Sequence, residues 1–163
     1  MDSLVDQWRA ERPDLEPDLA AMGTIGRMGR VMAFMTGAIE EVFAHHGLTT
    51  ADFDVLAALR RAGAPHALRP TDLSRLLMLS PAGMTNRLDR LHAAGLVDRS
   101  PDPEDRRSWS IRLTDAGRQV VDAAVTEHVA NEARLLEALS PTQREALDRA
   151  LRALLAQFEG PGD

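Results

Sequence analysis

TDLSRLLMLSPAGMTNRLDRLHAAGLVDRSPDPEDRRSWSIRLTDAG, residues 71–117, decides the fold. Just before it, Pro70 suits a first helical position, where no N–H is needed. Asp72 then falls in the first turn, where the helix dipole favours an acid, so a helix is predicted over 70–78. Ser80-Pro81 restarts a helix as N-cap and first residue. That helix runs to about residue 94, with Gly95 as its natural stop. Residues 96–100 and 109–113 read as strands around a charged tip, 101–107. Helix, turn, helix and hairpin in this order make a winged helix-turn-helix.

Such a motif places one helix in the DNA major groove and one loop against the minor groove. Regulation of transcription, with double-stranded DNA as partner, is therefore the first expectation. Overall charge is mildly against it: 19 basic residues stand against 25 acidic ones, a net −6, and every basic residue is Arg. The charge is uneven, however. Residues 80–112 carry six Arg against five acids, so this segment is +1 and the remainder −7. A small basic surface on an acidic body fits this balance.

At 163 residues the chain reads as one domain with a sizeable core. Aromatics make up only 4% of it, so aliphatic packing must dominate. With no Cys, disulfides and thiolate metal sites are excluded. No apolar run reaches the roughly 18 residues of a membrane span, and the acidic N-terminus is unlike a signal peptide. A cytoplasmic protein without a membrane partner is expected.

Outside the motif the pattern is helical. A short helix over 2–12 carries Leu4, Val5 and Trp8 on one face, and Pro13 and Pro17 break any longer one. From 19 to 46, Met22, Ile25, Met28, Met32, Met35, Ile39, Val42 and Phe43 recur at helical spacing. Thr49 and Asp52 open a helix over 51–62 as a capping box, which Gly63 and Pro65 end. Residues 66–69 read as a short strand. Thr114 caps a long helix, and Ser140 with Gln143 opens a last one bearing Leu147, Leu151, Leu154, Leu155 and Phe158. The predicted fold is mainly α with a small β wing. The lobe 64–113 is the winged helix-turn-helix, flanked by N-terminal (1–63) and C-terminal (114–163) dimerisation helices. A two-fold homodimer of this kind suits palindromic operators.

The run LSRLLMLSPAGMTNRLDRLHAAGLV (73–97), the tip DPEDRRS (102–108) and IRLTDAG (111–117) resemble the MarR family of bacterial transcriptional regulators. The resemblance covers nearly the whole chain and implies a homodimer, usually a repressor, whose small-molecule effector binds between the dimerisation helices and the winged lobe. It implies that Ser80, Ala82, Gly83, Thr85, Asn86 and Arg90 face DNA, with Asn86 suited to adenine and Arg90 to guanine or a phosphate. Arg107 would enter the minor groove, held by Asp105, with Arg106 on phosphate. A charged run is ordinarily a solvated turn. Its position between two strands, ahead of the LT-x-x-G run, favours the contact with DNA.

WRAERPDLEPD (8–18), DFDVLAALRRAG (52–63) and MLSPAGMTNRLDRL (78–91) further resemble the urate-responsive, PecS- and HucR-like branch of that family. That resemblance implies an effector site made by Trp8, Asp54, Arg87 and Arg99, taking urate or a related purine, with no other cofactor. The chemistry is consistent: a flat monoanion stacks on an indole and accepts hydrogen bonds from guanidinium. Each residue alone has an ordinary structural use, Trp8 as a helix staple and Asp54 as a dipole partner among them. A phenolic or other aromatic anion at the same cleft is the alternative, and an interaction dimer that does not bind DNA is another. His45 and His46, adjacent on a helix, are expected to point apart; with His66, His92 and His128 they show no metal-ligand spacing. No nucleophile elbow, phosphate loop or HExxH points to an enzyme.

Overall fold

A computed structural model describes residues 2–101 and 109–159. The elements are α1 (Asp2–Glu11), a 3-10 turn (Pro13–Leu15), α2 (Glu16–His45), α3 (Thr50–Arg61), β1 (Ala67–Leu68), α4 (Pro70–Leu76) and α5 (Pro81–Ala93). They are followed by β2 (Val97–Pro101), β3 (Trp109–Leu113), α6 (Asp115–Leu135) and α7 (Pro141–Glu159). The sheet is antiparallel in the order β1-β3-β2. It is the expected wing on a mainly helical body.

The core is built around α3. Val55, Leu56, Ala57, Ala58 and Leu59 are buried in succession, none above 4% exposed. Five apolar residues in succession turn apolar groups to every side of mid-helix, which must then be covered all round, and α2, α4, α5, α6 and β3 supply the cover. Thr49 starts α3 as foreseen: its hydroxyl accepts the Asp52 N–H, and the Asp52 carboxylate accepts the Thr49 N–H. Phe43 stacks on Phe53 with centroids 4.1 Å apart, and the His128 ring closes the group at 4.9 Å from Phe43.

Two boundaries differ from expectation for local reasons. Pro17 does not delay α2, because it occupies the first turn, where its missing N–H is no loss. α4 stops at Leu76 rather than 78 because Met78 is left-handed, with φ 52°. Of the α2 glycines, Gly23 meets its own chain, where a Cβ would lie 3.2 Å from Val5 Cγ2, and so lets α1 pack closely on α2. Gly29 and Gly37 face open space.

The LTDAG run ties the wing to α6. The Thr114 hydroxyl donates to Gly95 O at 2.8 Å and accepts the Gly117 N–H at 2.9 Å, while the Thr114 N–H donates to Leu96 O. Two regions stay bare. Every described residue of α7 from 141 to 158 is exposed. On α2, so are Met22, Ile25, Met28, Val31, Met32 and Phe34.

Candidate DNA-binding surface and effector cleft

Helix α5 buries Met84, Leu88 and Leu91, at i, i+4 and i+7. That choice of face turns Ala82, Thr85, Asn86 and Asp89 outward, and leaves Gly83 half-buried. The Ser80 hydroxyl accepts the Gly83 N–H at 3.2 Å, so Ser80 is committed to the cap. The Thr85 hydroxyl donates to Pro81 O at 3.0 Å. Asn86 is exposed on the stripe predicted to face DNA. Asp105, Arg106 and Arg107 lie outside the described residues.

Arg90 is placed differently from the expectation of a base or phosphate partner. Its guanidinium turns back to α3, where Nε and Nη2 donate to Oδ1 of the buried Asp52 at 3.2 and 2.5 Å. The sequence carries half of the signal for this pair, since the Thr49–Asp52 spacing marks Asp52 as a capping residue. Its second partner lies 38 residues away in sequence.

Asp52 and Asp54 share one helix turn and are driven in opposite directions. Burial raises the pKa of Asp52, but hydrogen bonds from Arg90 and Thr49 outweigh it and hold the carboxyl below its ordinary value. Desolvation lifts the pKa of Asp54 above the ordinary value, against the charges of Arg87, Arg61 and His128, and among the described residues no hydrogen bond offsets it. A carboxylate so placed destabilises the fold once ionised. The Asp54 contribution is favourable below the unfolded pKa and is lost as pH rises through the folded one. We therefore expect Asp54→Asn to unfold at a higher urea midpoint than wild type at pH 7. The advantage should shrink as pH falls through the carboxylate range. Equal midpoints at pH 7 would count against it.

Of the four residues assigned to the effector, Asp54 of α3 feels the charge of Arg87 of α5, with no direct ion pair between them among the described residues. Arg99, on β2, is ion-paired with Asp89 of α5. It also lines a cavity of about 380 Å³ with Pro70, Thr85, Leu88, Trp109 and Ile111. Trp109 was not singled out in the sequence, where it reads as an ordinary strand aromatic. Trp8 lies on α1, which packs on α2 and the 3-10 turn, and it is 42% exposed.

The histidines correct one expectation. His45 ends α2 and His46 is its C-cap, so the helical divergence no longer applies. Both rings reach Glu127 of α6, at 3.2 and 2.8 Å. Among the described residues no cluster has metal-binding geometry.

The MarR family profile matches residues 46–108. The HTH-type transcriptional regulator PecS of Dickeya dadantii is 42% identical over 156 residues, 96% of this chain and 90% of its own length. Among solved structures, AbsC, a MarR family transcriptional regulator from Streptomyces coelicolor, superposes with a TM-score of 0.74 at 26% identity. That match covers 85% of this chain and 94% of AbsC. A mutant E. coli MarR complexed with operator DNA shares the fold at a TM-score of 0.68 and 23% identity, over 91% of this chain and 97% of that one. With its winged lobe and near full-length match to PecS, the chain belongs to the MarR family of DNA-binding transcriptional regulators.

Proposed function

We propose that this chain acts as a homodimeric repressor, released from a pseudo-palindromic operator by urate or a related purine anion. The observation that supports the effector is that Asp54 of α3 lies within electrostatic reach of Arg87, which sits on the recognition helix itself. An arriving anion competes for Arg87 and is repelled by Asp54. The Asp54–Arg87 arrangement of the DNA-bound state and the ligand are then mutually unfavourable. That difference is what a ligand needs in order to shift the equilibrium. Trp8 supplies a face on which a purine stacks. The dimer is supported by α7 and the exposed apolar side chains of α2, whose groove is lined by Met28, Val31, Met32, Met35, Leu147 and Leu151.

A second reading has its own observation. The cavity beside Arg99 sets an exposed indole, Trp109, next to a cation and the Thr85 hydroxyl, a combination suited to a phenolic or other aromatic anion. Fluorescence anisotropy on the duplex upstream of this chain's own gene separates the readings. Urate is expected to release wild-type protein. Trp8→Ala should bind DNA as before but need about tenfold more urate, the loss of one good stacking contact. Release by salicylate and not by urate favours the second reading. DNA binding indifferent to both leaves a regulator without this effector. Absence of specific binding at every promoter tried favours the interaction dimer.

A further inference from the structure

We propose that Arg90 is a positioning residue: it fixes the recognition helix on α3 and reads no base. Arg90 lies in the last turn of α5, one turn beyond Asn86. The Asp52 side chain it holds is 6% exposed, whereas that of Arg90 is 56% exposed. This asymmetry decides which partner leads. The buried carboxylate has one fixed place, and the long arginine reaches it. Oδ2 of Asp52 is already taken by the N–H and hydroxyl of Thr49, at 3.1 and 2.7 Å. Oδ1 is left for Arg90 alone among the described residues. Sending Arg90 out to a base would strip a buried anion of its cation, which is costly.

The opposite flank of α5 has a matching tie, Asp89 to Arg99 on β2. Consecutive residues thus hold the helix from two sides. Met84, Leu88 and Leu91 supply the adhesion, but apolar contact is non-directional and leaves the roll of the helix loosely set. The directional ion pairs set it. Base reading by hydrogen bonds needs that definition, since an exposed amide such as Asn86 reads a base edge only from a fixed position.

The test uses a duplex recovered by the wild-type protein from a randomised pool, together with its single-base-pair variants. Anisotropy is read below the melting temperature of every protein, checked by circular dichroism. Arg90→Ala and Asp52→Asn are each expected to weaken binding about tenfold, the scale of one charge-assisted hydrogen bond. The loss should be uniform across the base variants, and the double variant no worse than either single one. Arg90→Lys should recover most of the affinity. Asp52 is too deeply buried to touch DNA, so its effect must travel through the helix, and Asn still caps Thr49. Three results would overturn the proposal. One is a preference lost at a single base pair in Arg90→Ala with Asp52→Asn unaffected. Another is a salt slope reduced by about one, the mark of a lost phosphate contact. The third is lowered melting temperatures with unchanged affinity.

Discussion

Replacing Gly117 with Ala should lower the unfolding free energy by about 2–4 kcal/mol, the range of overpacking plus one lost hydrogen bond. Helix propensity alone predicts the reverse sign, a gain of about 1 kcal/mol for Gly to Ala within a helix. The structure decides between them. A Cβ at this position would sit 2.9 Å from the Leu96 carbonyl carbon and closer still to its oxygen, with Leu113 Cδ2 at 3.3 Å. The nearest obstacle is backbone, which cannot rotate away as a side-chain tip can. That backbone is also engaged, since Leu96 O accepts the Thr114 N–H at 3.2 Å. Relief would mean parting the wing from α6. Urea unfolding of the two proteins at neutral pH measures the effect. An Ala variant as stable as wild type would show that the wing root yields freely, contrary to this account.

Leu151→Glu should leave a folded winged lobe that is monomeric at micromolar concentration and binds operator about 100-fold or more weakly, the avidity lost when two half-sites are no longer linked. Leu151 lines the groove between α7 and α2, opposite Met28 and Met32. Its neighbours on the stripe, Leu147, Leu154 and Leu155, are also exposed. A helix of 19 residues with this apolar stripe and almost no cover from its own chain needs a partner surface. A carboxylate placed on this apolar stripe is strongly unfavourable once a partner covers it, even with Arg144 at the groove's edge. Light scattering reports the mass, and anisotropy the affinity. A Leu151→Glu protein with unchanged mass and unchanged DNA affinity would overturn the proposed role of this groove as the dimer interface.

What the sequence made legible was local. Thr49 with Asp52, Ser80 over Gly83, Thr114 over Gly117, and Ser140 with Gln143 all cap as the spacing predicts, because each bond spans three residues. The strands 96–100 and 109–113 fall within a residue of β2 and β3, because Gly95 and the Thr114 cap mark their outer ends. The candidate site was legible in its residue types but not in their pairings. Arg90 to Asp52, Arg99 to Asp89, and His45 and His46 to Glu127 join separate elements. No periodicity encodes which acid an exposed arginine will find. The roles of Asp52 and Asp54 also needed coordinates, since only burial and hydrogen bonding tell two like residues apart.

The nakedness of α7 has a thermodynamic consequence. If the proposed homodimer forms through a helix with so little cover from its own chain, folding of that helix and association become one event. Its melting temperature then rises with total protein concentration, by mass action. At low chain concentration, the same law would make the supply of reading-competent pairs fall faster than the supply of chains. Expression level would thereby tune operator occupancy more steeply than first order.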